Sequence, residues 1–201
     1  VAAYGFLKEK GWAWTVAVIA NVMGLLAGFF PMIPAVVEDL FPTYIVVFAP
    51  SLVTYFLLLG YVRRVDARVI ALSFFSGITF VMSFMNGVAG TDKIILHRDP
   101  VAIGVQRLNW VAAAGWGAFT VGLLARKRWA KPVGLGAGLM SLVAGGMLAV
   151  VSTISEGRFS LFTPAPLLSL LLLIVLLVPA GSRMVTRWLA GKPMGEVASA
   201  G

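Results

Sequence analysis

The one histidine in the chain, His97, sits in the segment GTDKIILHRDP between Asp92 and Asp99. A carboxylate–imidazole–carboxylate set has the donor chemistry for a divalent cation. An imidazole there also titrates near neutral pH. A single His without a second His or a Cys is a poor metal site, so the segment reads first as a solvated polar loop. Glu38 and Asp39 in PAVVEDLFP, and Glu156 in a later loop, form two acidic spots of the same outer-face kind that could attract cations. Arg107, flanked by Gln106 and Asn109, opens an apolar run. It can snorkel outward, pair with Asp92 or Asp99, or hold an anionic head group.

What the chain lacks narrows the chemistry further. There is no Cys, hence no disulfide, no thiolate nucleophile and no Cys-ligated metal. No Asp, Glu, Lys, Arg or His falls near the middle of any long apolar run. Ionisable residues there mark proton relays and ion-coupled transport. Histidine-ligated haem would need His within those runs. No Gly-x-Ser-x-Gly elbow, His-Glu-x-x-His motif or phosphate-binding P-loop occurs. The expectation is a protein that is not an enzyme and holds no cofactor and no metal.

The elements around these residues are membrane spans. Of 201 residues, 60% are hydrophobic and 12% charged, with mean hydropathy +0.95. A soluble domain carries about 25% charged residues. Six apolar segments, near 12–33, 43–62, 69–89, 103–124, 132–153 and 162–181, approach the roughly 20 residues that a helix needs to cross a bilayer. Helices are expected because an open sheet leaves backbone groups unsatisfied in lipid. No linker interrupts the pattern, so residues 1–201 are expected to form one six-helix transmembrane domain. The apolar core within Lys8 to Ala35 exceeds the roughly 7–15 residues of a signal peptide's core, and is expected to be a retained span.

Charge supplies orientation. The net charge is +8, yet the basic residues are not gathered on one soluble face, so nucleic acid is not the expected partner. Lys8, Lys10, Arg63, Arg64, Arg68, Arg126, Lys127, Arg128, Lys131, Arg183, Arg187 and Lys192 all fall on one side of the six segments. The positive-inside rule places that side, and both termini, in the cytoplasm of a multi-pass cell-membrane protein.

The first span carries a stripe of small residues, including Ala20, Gly24 and Gly28. Shifted by 117 residues, WAWTVAVIANVMGLLAGFF overlies WAKPVGLGAGLMSLVAGGM, whose own stripe includes Gly134, Ala137, Gly138, Ser141 and Gly145. With a shift of 114, Phe48 and Pro50 overlie Phe162 and Pro164. Spans 5–6 therefore read as a parallel repeat of spans 1–2. Small stripes let helix backbones approach closely in lipid. They serve packing within the chain, or docking to other membrane subunits or a second copy. Two functions follow as expectations: an accessory or stabilising subunit that packs through these faces, or an uncoupled channel or facilitator for a small solute. The second is motivated by the repeat and by prolines in spans 2 and 6.

Overall fold

A computed structural model describes residues 8, 12–89, 100–157, 160 and 162–192, and among these every regular element is helical. Helix α1 runs Trp12–Val37. Helix α2, Ile45–Leu57, widens into a π-helical turn over Leu58–Val62. Helices α3 (Ala67–Ala89), α4 (Pro100–Leu124), α5 (Ala130–Glu156), α6 (Pro164–Leu177) and α7 (Pro179–Leu189) follow. Four stretches, Trp12–Met32, Ile45–Val62, Ala67–Val88 and Ala130–Ile154, are long and apolar enough to cross a membrane. The bent pair α6–α7 brings the number to five if it is taken as one span.

Two expected spans take a different form. Helix α4 has 25 residues but is less apolar, because Gln106, Arg107 and Asn109 occupy its second and third turns. The sixth segment, expected over 162–181, stops at Leu177 and turns by 78° into α7. The cause is local. Pro179 disfavours the helical region for the residue before it, and Val178 sits at φ −61°, ψ 135°. Pro164, which opens the segment, lies at the start of α6, where a missing N–H costs nothing. Pro50 lies inside α2 without ending it. Pro31 and Pro34 are likewise carried inside α1. Without water to satisfy a broken backbone, continuing the helix is the cheaper outcome.

Contacts group the chain into two compact units, residues 1–70 and 71–201. In the first, α1 and α2 form a hairpin. A β-carbon at Gly24 would lie 2.6 Å from Ser51 Oγ, and one at Gly28 would lie 2.7 Å from the Phe48 main-chain nitrogen. Phe29 and Phe48 pack 5.6 Å apart alongside. The Arg63 guanidinium stands 4.7 Å over the Trp14 ring and joins the other end of the pair. Helix α1 ends in a Schellman motif: Leu40 N–H reaches Ala35 O at 2.8 Å and Asp39 N–H reaches Val36 O at 3.3 Å. Asp39 takes the left-handed conformation this turn requires, at φ 55°.

In the second unit, α5 packs against α4 on one side and α6 on the other. The α5–α6 hairpin meets in the register of α1–α2. Ser141 and Gly145, which overlie Gly24 and Gly28, contact Ser169 and Pro166. Those residues stand 118 positions beyond Ser51 and Phe48, so the contacts define a shift of 118 for the second helix of the pair, not 114.

Helix α7 folds across the end of this unit with Val185, Trp188 and Leu189 buried. Trp188 Nε1 donates to Leu123 O at 2.7 Å, satisfying a carbonyl in the last turn of α4. A β-carbon at Gly181 would collide with the main-chain oxygen of Val175, so the bend admits only glycine there. Gly28→Leu is therefore expected to destabilise the protein in detergent by about 1–3 kcal/mol, as overpacking does. Gly181→Ala should also lower the melting temperature. Gly136→Ala, whose β-carbon meets nothing within 4 Å, should leave it unchanged.

Candidate functional site

Helix α3 presents Ser73, Ser76, Thr79, Ser83 and Asn86 at three- and four-residue spacing, which places them on one face. All five are buried. A polar stripe inside an apolar helix has to find partners on its neighbours, since lipid offers none. The neighbours supply Asn109, Trp116 and Thr120 from α4, Ser141 from α5 and Ser169 from α6.

The centre of this seam is a chain of hydrogen bonds. Trp116 Nε1 donates to Ser169 Oγ at 3.2 Å, and Ser169 Oγ donates to Ser141 Oγ at 2.7 Å. Ser141 Oγ in turn lies 3.2 Å from Ser83 Oγ, and either hydroxyl can donate in that pair. Four helices are joined by four side chains. Trp116 is wholly buried and meets Phe119 edge-on with ring centres 5.7 Å apart. One turn toward the α7 end, Ser76 Oγ lies 2.7 Å from Thr120 Oγ1. Each of these hydroxyls also reaches a main-chain carbonyl of its own helix, Ser73 O at 3.0 Å and Trp116 O at 2.9 Å.

At the other end the seam holds carboxamides. Asn86 Nδ2 donates to Phe162 O at 3.1 Å, Asn109 Nδ2 to Val105 O at 3.0 Å, and Gln106 Nε2 to Gly87 O at 3.0 Å. Asn109 is wholly buried, yet its Oδ1 accepts no hydrogen bond. Gly145 of α5 faces this pair: a β-carbon there would sit 3.5 Å from Asn86 Nδ2, 3.7 Å from Asn109 Oδ1 and 3.3 Å from Pro166 Cδ. In the first unit Asn21 Nδ2 is the corresponding orphan, a buried donor without a partner.

The residues singled out from sequence separate into three groups. Gly134, Ala137, Gly138, Ser141 and Gly145 are buried within the second unit, where Gly134 abuts Phe119, Ala137 abuts Gly115 and Gly138 abuts Leu173. Gly24 and Gly28 face α2, while Ala20 is exposed. Among the polar residues expected on the outer face, Glu38 and Asp39 are exposed at the α1 terminus, and Arg107 is exposed on α4. Glu156 ends α5. Asp92, His97 and Asp99 lie outside the described residues. No group of three or more His, Cys, Asp or Glu side chains with metal-binding geometry occurs among the described residues.

Hydroxyls and amides without a neighbouring base are not activated nucleophiles. The seam can hold helices in register and can accept or donate single hydrogen bonds. Its α3 component was visible as Ser-x-x-Ser-x-x-Thr-x-x-x-Ser-x-x-Asn, a period-3.6 polar stripe overlooked beside the glycine pattern. Two variants test this assignment. Ser141→Ala should destabilise the protein by about 1 kcal/mol, because it strands Ser83 and Ser169. Gly145→Ser places a hydroxyl within reach of Asn109 Oδ1 and should stabilise it by about the same amount. Thermal unfolding in detergent distinguishes the two directions. Compared with known proteins, the chain matches no family model, no curated protein and no solved structure.

Proposed function

We propose that this chain is a non-catalytic protein of the cell membrane that serves as an accessory or stabilising subunit for other membrane proteins. In this reading it crosses the bilayer six times with both ends in the cytoplasm, and α1–α2 and α5–α6 are repeats of one hairpin. The observation that carries it is the chemistry of the buried polar side chains. Among the described residues they are all Ser, Thr or Asn, with no ionisable group. Coupled transport and proton relays depend on such groups.

The fourth crossing is α4. Its 25 residues extend about 37 Å at the helical rise. Its polar Asn109 is turned inward with Ala112, Ala113, Trp116 and Phe119, so protein and not lipid surrounds that face. The shared contact register, Gly24–Ser51 with Ser141–Ser169 and Gly28–Phe48 with Gly145–Pro166, supports the repeat. The small faces of α5 are taken up by the chain's own helices. What remains for a partner is the outer apolar surface, which on α1 includes Ala20 and Ala27 beside Ile19 and Met23.

The second reading, an uncoupled facilitator for a small solute, draws on the unpartnered Asn21 Nδ2 and Asn109 Oδ1. Against it, Asn86 and Asn109 are closed off by neighbouring helices, and their Nδ2 groups are committed to main-chain carbonyls. Purification from the native membrane in mild detergent separates the two. A subunit should co-purify in fixed ratio with other chains, and its proteoliposomes should pass no small solute. A chain that runs alone and raises solute flux severalfold overturns the subunit reading.

A further inference from the structure

At the end of the second unit where α7 lies, seven basic residues gather: Arg126, Lys127, Arg128 and Lys131 before and within the start of α5, and Arg183, Arg187 and Lys192 in and after α7. Between Arg126 and Lys192 the sequence contains one acid, Glu156, at the far end of α5. Twenty-five residues of helix separate it from Lys131, or about 37 Å. The cluster is thus uncompensated by any acid in its own stretch of chain.

Its side chains are positioned by neutral groups. Lys131 Nζ donates to Ser182 Oγ at 2.6 Å and lies 3.5 Å from Thr186 Oγ1, so among the described residues its charge meets hydroxyls. Arg183 Nε donates to Pro179 O at 3.1 Å, and Arg183 and Arg187 stand one turn apart on the same face of α7. The Arg126 guanidinium lies 4.1 Å over the Trp188 ring. Arg126 also occupies the left-handed position of the Schellman turn that ends α4, at φ 53°, where glycine is the favoured residue. The chain keeps a cation where backbone preference alone would select glycine. No acidic residue occupies the first turn of α5 or α7.

The 78° bend turns α7 away from the direction of α6. With basic residues on one face and Val185, Trp188 and Leu189 buried on the other, α7 has the amphipathic pattern of a helix that lies along a membrane surface. The exposed Trp129 beside Arg128 is a further interface residue.

We propose that α7 and the α4–α5 turn form a binding surface for the phosphate head groups of anionic phospholipids in the adjoining leaflet. The test uses the full chain in bilayer nanodiscs of phosphatidylcholine and phosphatidylglycerol, extracted into mild detergent, with retained lipid quantified by mass spectrometry. Phosphatidylglycerol should be retained several-fold above its share of the bilayer. Raising salt from 0.1 to 1 M shortens the screening length from about 10 to 3 Å and should abolish most of that excess. Replacing Arg183, Arg187 and Lys192 together by Gln should reduce it at least about fivefold, the effect of roughly one basic contact at a membrane surface. Arg126→Gly removes the stack on Trp188 but relieves the left-handed backbone, so it should fold and still lose part of the excess. Gly136→Ala, outside the cluster and with open space at its β-carbon, should leave it unchanged. Equal retention of the two lipids by the parent protein overturns the proposal, as does an excess unaffected by Arg126→Gly and by salt. Displacement of the lipid by millimolar inorganic phosphate would assign the surface to a soluble anion and overturn it as well.

Discussion

Four side chains, Trp116, Ser169, Ser141 and Ser83, form one hydrogen-bonded chain across four helices, and the second unit is arranged around the distances it demands. In lipid, helices gain little from burying apolar surface against one another, because lipid tails are already apolar. Association has to come from close packing and from polar groups that find partners only in the assembled state. Hydroxyls are short, so a Ser–Ser bond at 2.7 Å brings two helix backbones almost into contact. Such proximity is tolerable only where the flanking residues are small. Gly134, Ala137 and Gly138 supply that condition on α5, and each receives a larger neighbour or another small residue from the facing helix. The glycine pattern and the hydroxyl pattern are two sides of one constraint.

The same economy governs the helix ends. Three termini are closed by the same left-handed turn, at Asp39, Arg126 and Gly191. Only the last uses glycine. Trp188 satisfies a carbonyl near the end of α4 from a helix more than sixty residues later in sequence. The bend before Pro179 is what allows this, since a straight continuation of α6 would carry Trp188 away from the bundle. A broken span is thus converted into a cover for the helix ends beneath it, with its charges turned outward.

The functional reading rests on which polar groups the interior contains. Among the described residues the buried polar side chains are hydroxyls and carboxamides, which specify packing and do not titrate near neutral pH, in contrast with the ionisable groups of coupled transporters. Among the described residues, Asn109 Oδ1 beside Gly145 is the buried side-chain atom of the seam that has no hydrogen-bond partner. Its scale is that of one small group, which suits a packing defect filled by a single hydroxyl better than a solute path.

Much of this was legible in the residues themselves. Four of the six apolar runs mark helices long and apolar enough to cross a membrane, because backbone groups in lipid leave no other solution. The basic clusters mark helix ends, and the recurrence of WA with a small stripe marks two comparable hairpins. Tertiary structure alone decided the rest. It assigned Gly134 to Phe119 and Gly138 to Leu173, because a stripe does not state which neighbour fills it. It selected a shift of 118 for the second helix of each pair, because contact register depends on how far a hairpin turn carries the chain before the next helix begins. It also separated α7 from the sixth apolar run. Hydropathy averages across a proline, whereas the backbone at Val178 cannot, and that local restriction turns a run of sequence into two helices with different roles.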